Sequence, residues 1–187
     1  VSAVGSGDLA SEDELPDVGD VGVPGWRVLA AGLAVAAAVM VVAEMFMALV
    51  LRTPGLLLVA APVTVAFLLT AGVVVSLVAQ RATRGMGQRK ASLVFFAAGF
   101  AAGALWGYPV FSILIEAAAA AGGPEPAPAA AVAGTLYMAS TTGLGGLAGR
   151  YFGPWAATRP SLVWSCTGAV AIVTLIGVYV FSGVDLT

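Results

Sequence analysis

Glu44 is the only charge between Arg27 and Arg52, set in a run of otherwise apolar residues. The stretch 27–51, RVLAAGLAVAAAVMVVAEMFMALVL, is long enough to cross a bilayer, since about 20 residues rising about 1.5 Å each span the hydrocarbon. A carboxyl at mid-membrane costs about 2.5–3.5 kcal/mol on insertion scales, so it turns toward protein or water rather than lipid. In that position it serves one of two kinds of chemistry. Either it exchanges a proton or holds a cation, or it accepts a hydrogen bond that specifies how helices assemble.

Other residues are candidates to complete an ion or proton site around Glu44. Thr64, Tyr108, Tyr137, Ser140 and Thr141 offer hydroxyls inside apolar stretches. Pro62 removes one helical N–H and leaves the Leu58 carbonyl without its partner. Gly107-Tyr108-Pro109 is expected to kink or interrupt its helix, and discontinuous membrane helices build binding sites from such freed carbonyls.

Much other chemistry is excluded by what the chain lacks. It has no histidine, which removes histidine-ligated haem, histidine-bearing zinc motifs and histidine general bases. The lone Cys166 cannot form an internal disulfide and reads as a small packing residue. No carboxylate pair stands one helical turn apart within a span, and no intramembrane lysine is available to activate a serine. The glycine-rich run TTGLGGLAG lacks the GxxxxGK[ST] pattern of a phosphate loop. No catalytic residue, metal ligand or cofactor is therefore assigned, and an enzyme is not expected. A basic nucleic-acid footprint is absent too, so nucleic acid is not an expected partner.

The elements that must position Glu44 are membrane helices. Apolar residues make up 60% of the chain, charged ones 10%, and the mean hydropathy is +1.00, values that indicate an all-α transmembrane bundle rather than a soluble core. Residues 1–25 are different: they mix Gly, Pro and Ser with six of the ten acids and read as a flexible acidic cytoplasmic tail. The tail lacks the basic and apolar regions of a signal peptide. Residues 26–182 form the membrane domain, with five spans expected at about 27–51, 54–80, 91–121, 130–149 and 160–182.

Within these spans, Ala30, Ala34, Ala37, Val41, Glu44 and Ala48 share one stripe of the first helix, a small-residue face suited to helix packing. Gly99, Gly103 and Gly107 repeat at a four-residue spacing that allows close approach, and Gly145 and Gly149 do the same. Thr53 and Pro54 suit the start of the second helix, making spans one and two a tight hairpin. The stretch 91–121 is too long for a perpendicular span and is expected to tilt and kink, or to unwind at its centre.

Loop 81–90, RATRGMGQRK, carries Arg81, Arg84, Arg89 and Lys90. Short basic loops stay cytoplasmic, and these four side chains also suit contact with anionic membrane lipid. With this loop inside, seven of the eight bases fall on the inner side and only Arg52 outside, giving an inside N-terminus and an outside C-terminus. No internal repeat of the inverted transporter kind is visible, because Glu44 has no acidic counterpart in span four.

Two functions follow from this pattern. One is a non-catalytic structural or accessory subunit of a membrane complex, packed against a partner membrane subunit or as a homo-oligomer. The other is a proton- or cation-coupled transporter, or an oligomeric channel, using Glu44. The composition places either in a cell membrane, expected to be prokaryotic. Transport requires Glu44, Tyr137 and the Tyr108–Pro109 region to line one cavity. A subunit requires Glu44 sealed against a neighbouring helix.

Overall fold

The computed structural model describes residues 23–52, 55–120, 122 and 129–184, and is helical throughout with no strand among them. The tail 1–22, Thr53, Pro54 and residues 123–128 lie outside the described residues, and with them the acidic tail and the Thr53–Pro54 helix start expected from the sequence. Helix α1 covers Gly25–Val50, preceded by Pro24, whose carbonyl accepts from the Arg27 N–H. It ends where Arg52 takes a left-handed conformation (φ 54°) and its N–H turns back to the Leu49 carbonyl.

The second long helix has three consecutive parts. Helix α2 (Gly55–Phe67) runs into a π-helical segment (Leu68–Gly72) and then α3 (Val73–Ala82). A π turn inserts an extra residue, so it rotates everything after it by about 100° around the axis. The Thr70 hydroxyl donates to the Ala66 carbonyl (2.6 Å), adding a bond at the widened turn. Helix α4 spans Gln88–Ala120, α5 Ala130–Ala157 and α6 Pro160–Val184.

Successive helices alternate in direction, with α5 packed lengthwise against both α4 and α1. Glycine makes these contacts possible. A side chain at Gly99 would come within 2.6 Å of the Thr142 carbonyl, and one at Gly146 within 2.7 Å of the Phe95 carbonyl. Gly103 and Gly107 continue the same line along α5, while Gly145 and Gly149 face Ala36, Met40 and Gly32 of α1. The Thr142 hydroxyl joins the two helices directly, donating toward the Gly99 carbonyl at 2.9 Å. The core of the bundle is filled by Ala36, Ala37 and Met40 of α1, Phe67 of α2, Met138 of α5 and Val170 of α6. Helix α6 packs mainly on α2, where Gly177 lets it close on the Leu58 carbonyl that Pro62 leaves free.

Three expectations are corrected. Among the described residues, four helices, Gly25–Val50, Leu57–Ala82, Gln88–Ala117 and Pro160–Val180, are long and apolar enough to cross a membrane, where five spans were expected. Helix α5 has 28 residues, ample length, but its Gly, Ser and Thr content lowers its apolarity, because it faces other helices more than lipid. Secondly, α5 does not end near residue 149. It continues through Pro154 to Ala157, since the Gln88 side-chain amide donates to the Arg150 carbonyl (3.3 Å), the group that Pro154 cannot serve. Thirdly, of the two alternatives for 91–121 the unwound centre is ruled out, since Gly107, Tyr108 and Pro109 all lie within continuous helix. On α1, Ala34, Ala37, Glu44 and Ala48 are buried, but Ala30 is exposed and Val41 half-buried, with Val28, Ala31, Ala36 and Met40 filling the face instead.

Candidate functional site

The α1–α2 hairpin brings Glu44 against Thr64. Glu44 is 6% exposed and Thr64 3%, and the Thr64 hydroxyl donates to Glu44 Oε1. The other carboxyl oxygen, Oε2, is buried with no hydrogen-bond partner among the described residues. Antiparallel packing carries α5 across the same level. Gly149 meets Gly32, and Gly145 meets Ala36 and Met40, so the register continues to Thr141 and Tyr137 opposite the turn that holds Glu44. Tyr137 lies within electrostatic reach of Glu44, and its buried hydroxyl likewise has no partner among the described residues.

Helix α4 completes the layer. The Trp106 ring packs edge-on against Phe67, with centroids 6.1 Å apart, one turn beyond Thr64, and its Nε1–H is buried and unpartnered among the described residues. Gly107 packs on Met138, which places Trp106 at the level of Tyr137. Four helices therefore deliver a carboxyl, a threonine hydroxyl, a phenol and an indole N–H to one layer of the core. Such a set accepts and donates hydrogen bonds, and it is also a place to hold a proton. Trp106 was not among the candidates from sequence, because an indole in an apolar helix ordinarily reads as packing; only the neighbouring helices reveal its company.

The remaining candidates make no hydrogen-bond contact with Glu44 among the described residues. Tyr108 is 58% exposed and points away from this core. Ser140 is exposed and donates to the Leu136 carbonyl of its own helix, while Thr141 is buried and donates to the Met138 carbonyl at 3.0 Å. Arg81, Arg84, Arg89 and Lys90 are all exposed at the opposite level, at the end of the bundle that also holds Arg27, Arg150 and Arg159. No three His, Cys, Asp or Glu side chains come together among the described residues.

A cavity of about 440 Å³ opens at this basic end, between α1, α3, the 83–86 turn and α5, and Glu44 does not line it. The arrangement thus separates two features: a closed polar layer at mid-bundle and an open cleft at the basic end. Comparison with protein-family models, curated proteins and solved structures gives no match for the chain.

Proposed function

We propose that this integral membrane protein is a non-catalytic structural or accessory subunit, in which Glu44 is an internal hydrogen-bonding residue that fixes how the helices assemble. The observation that carries this reading is the placement of Glu44: sealed in the core, bonded to Thr64 of the adjacent helix and outside the lining of the cavity. The outer surface supports the same reading. Helix α6 turns Trp164, Ile172 and Leu175 outward, with Trp164 76% exposed, and this apolar face suits lipid, a second copy or a partner helix.

A second reading, proton- or cation-coupled transport, draws on one specific observation. Glu44 Oε2, the Tyr137 hydroxyl and Trp106 Nε1 are three buried polar atoms without partners among the described residues, gathered in one layer. One pair of measurements separates the two readings. The first is the mass of the complex extracted from membranes in mild detergent; the second is proton flux into vesicles containing the purified chain. A subunit gives a complex heavier than one chain and no flux difference between the wild type and Glu44→Gln. A single free chain whose flux disappears in Glu44→Gln overturns the subunit reading in favour of transport.

A further inference from the structure

The cleft at the basic end is formed by a change of direction in chemistry along one helix. Before the π segment, α2 offers Thr64 and Phe67 to the core. After it, the rotated face of α3 presents Ser76, Leu77, Gln80 and Arg81 to the cavity, followed by Arg84 from the turn. α3 makes its main contacts with the π segment and α4 and stands away from α1 and α5, which leaves the cleft open. The far wall is apolar, built by Val28, Leu29 and Leu33 of α1, with Phe95 behind.

We propose that this cleft binds one anionic phospholipid, its phosphate held by Arg81 and Arg84 and the start of one acyl chain laid against Leu33, Ala36 and Leu77. The inference rests on the chain being a membrane protein and is independent of whether it acts as a subunit or a transporter. Three observations select this occupant. The cleft is amphipathic in the sense of a lipid, with arginines at the end of the bundle and aliphatic side chains toward its middle. Its α3 wall belongs to a helix apolar enough to cross the bilayer, and Val74 and Val78 beside it face outward, so the apolar part of the cleft lies at membrane depth. Arg81 and Arg84 are both exposed on the cleft, free to face an anion there, while Glu44 lies in the core and Glu116 toward the opposite end. Basic pockets between helices on the positively charged side of membrane proteins recognise anionic headgroups in this way. At about 440 Å³ the cleft is too small for a whole two-chain lipid and takes the headgroup with the first part of one chain, the rest remaining in the bilayer.

The test is native mass spectrometry of the full chain in detergent, titrated with phosphatidylglycerol and, separately, with phosphatidylcholine. The expected result is one phosphatidylglycerol retained in preference to phosphatidylcholine. The pair Arg81→Gln and Arg84→Gln should weaken retention about 30-fold, taking each arginine near the surface at its usual strength. Arg89→Gln with Lys90→Gln, on the same end but outside the cleft lining, should leave it unchanged. Ser76→Phe, which fills the cleft and keeps both arginines, should abolish it. Equal loss in the Arg89 and Lys90 pair would overturn the proposal, since attraction would then be general to the basic end. Retention undisturbed by Ser76→Phe overturns the seat of the acyl chain and the proposal with it. Displacement of the lipid by inorganic phosphate at millimolar levels would identify a soluble anion as the occupant and overturn the lipid assignment. All of these variants except Ser76→Phe alter exposed side chains, so helical content and a single elution peak are expected to match the wild type.

Discussion

A buried interhelical hydrogen bond joins two side chains twenty residues apart, Glu44 and Thr64. Within hydrocarbon a polar side chain left without a partner has no water to turn to, so this bond selects one rotation of α1 against α2. Its net contribution is smaller than that logic implies, because the unfolded chain in a membrane also finds partners; interhelical bonds of this kind average about 0.6 kcal/mol and reach about 1.7. Thr64→Val, which keeps the shape and loses the donor, should therefore lower the free energy of unfolding in mixed micelles by about 1 kcal/mol. The telling comparison is with Glu44→Leu: adding Thr64→Val to that variant should cost nearly nothing further. Fully additive losses would mean that the two side chains do not act as a pair. Glu44 stood out in the sequence as an isolated charge, and Thr64 was one of five hydroxyl-bearing candidates around it. Thr64, Tyr108, Tyr137, Ser140 and Thr141 could not be ranked as partners from sequence spacing, and the hairpin register selects Thr64.

At the scale of elements, helix identity was legible and helix interruption was not. Long apolar runs and the four-residue glycine spacing at Gly99, Gly103 and Gly107 are local signals, and they correspond to a helix that meets α5 along that face. Pro154 is a local signal as well, but it points the wrong way. Proline removes an N–H and normally ends a helix, yet α5 continues because a donor 62 residues earlier in the chain, Gln88, reaches the Arg150 carbonyl. The π segment at Leu68–Gly72 has no signature in LLTAG that distinguishes it from ordinary helix. Both features depend on contacts distant in sequence. The Gln88 substitution for a missing backbone bond makes a specific expectation. Gln88→Leu should destabilise the fold by about 1–2 kcal/mol, the cost of a buried acceptor left unmade. Pro154→Ala restores an N–H at the right place and should remove most of that penalty when combined with Gln88→Leu. Chemical unfolding of the single and double variants measures this; a Gln88→Leu loss that persists in full beside Pro154→Ala would show that Gln88 acts through something other than the Arg150 carbonyl.

At the scale of the whole molecule, the alternation of helices gathers charges far apart in sequence. Arg27 at the start of α1, Arg81 and Arg84 after the second helix, Arg89 and Lys90 at the start of α4, Arg150 in the last turns of α5 and Arg159 before α6 all lie at one end, and Arg52 lies at the other. This asymmetry is carried by short connections, the setting in which Lys and Arg determine orientation. We expect the basic end to be cytoplasmic on this ground. Helix α5 is not among the four helices apolar enough to cross on composition alone, but the chain enters it at the Arg52 end and leaves it at the basic end while packed lengthwise on α1 and α4, so we expect it to cross with them. Single cysteines in a Cys166→Ala background report on both points. Gly87 sits in open space in the basic turn, and Glu116 is exposed near the far end of α4. An impermeant thiol reagent added to intact cells should label Glu116→Cys and reach Gly87→Cys only after the membrane is opened. Thr158→Cys, just after α5, should behave like Gly87→Cys. Labelling of Thr158→Cys from outside, with Gly87→Cys still protected, would mean that α5 does not traverse the bilayer, and the antiparallel register that places Tyr137 beside Glu44 would not survive in the membrane.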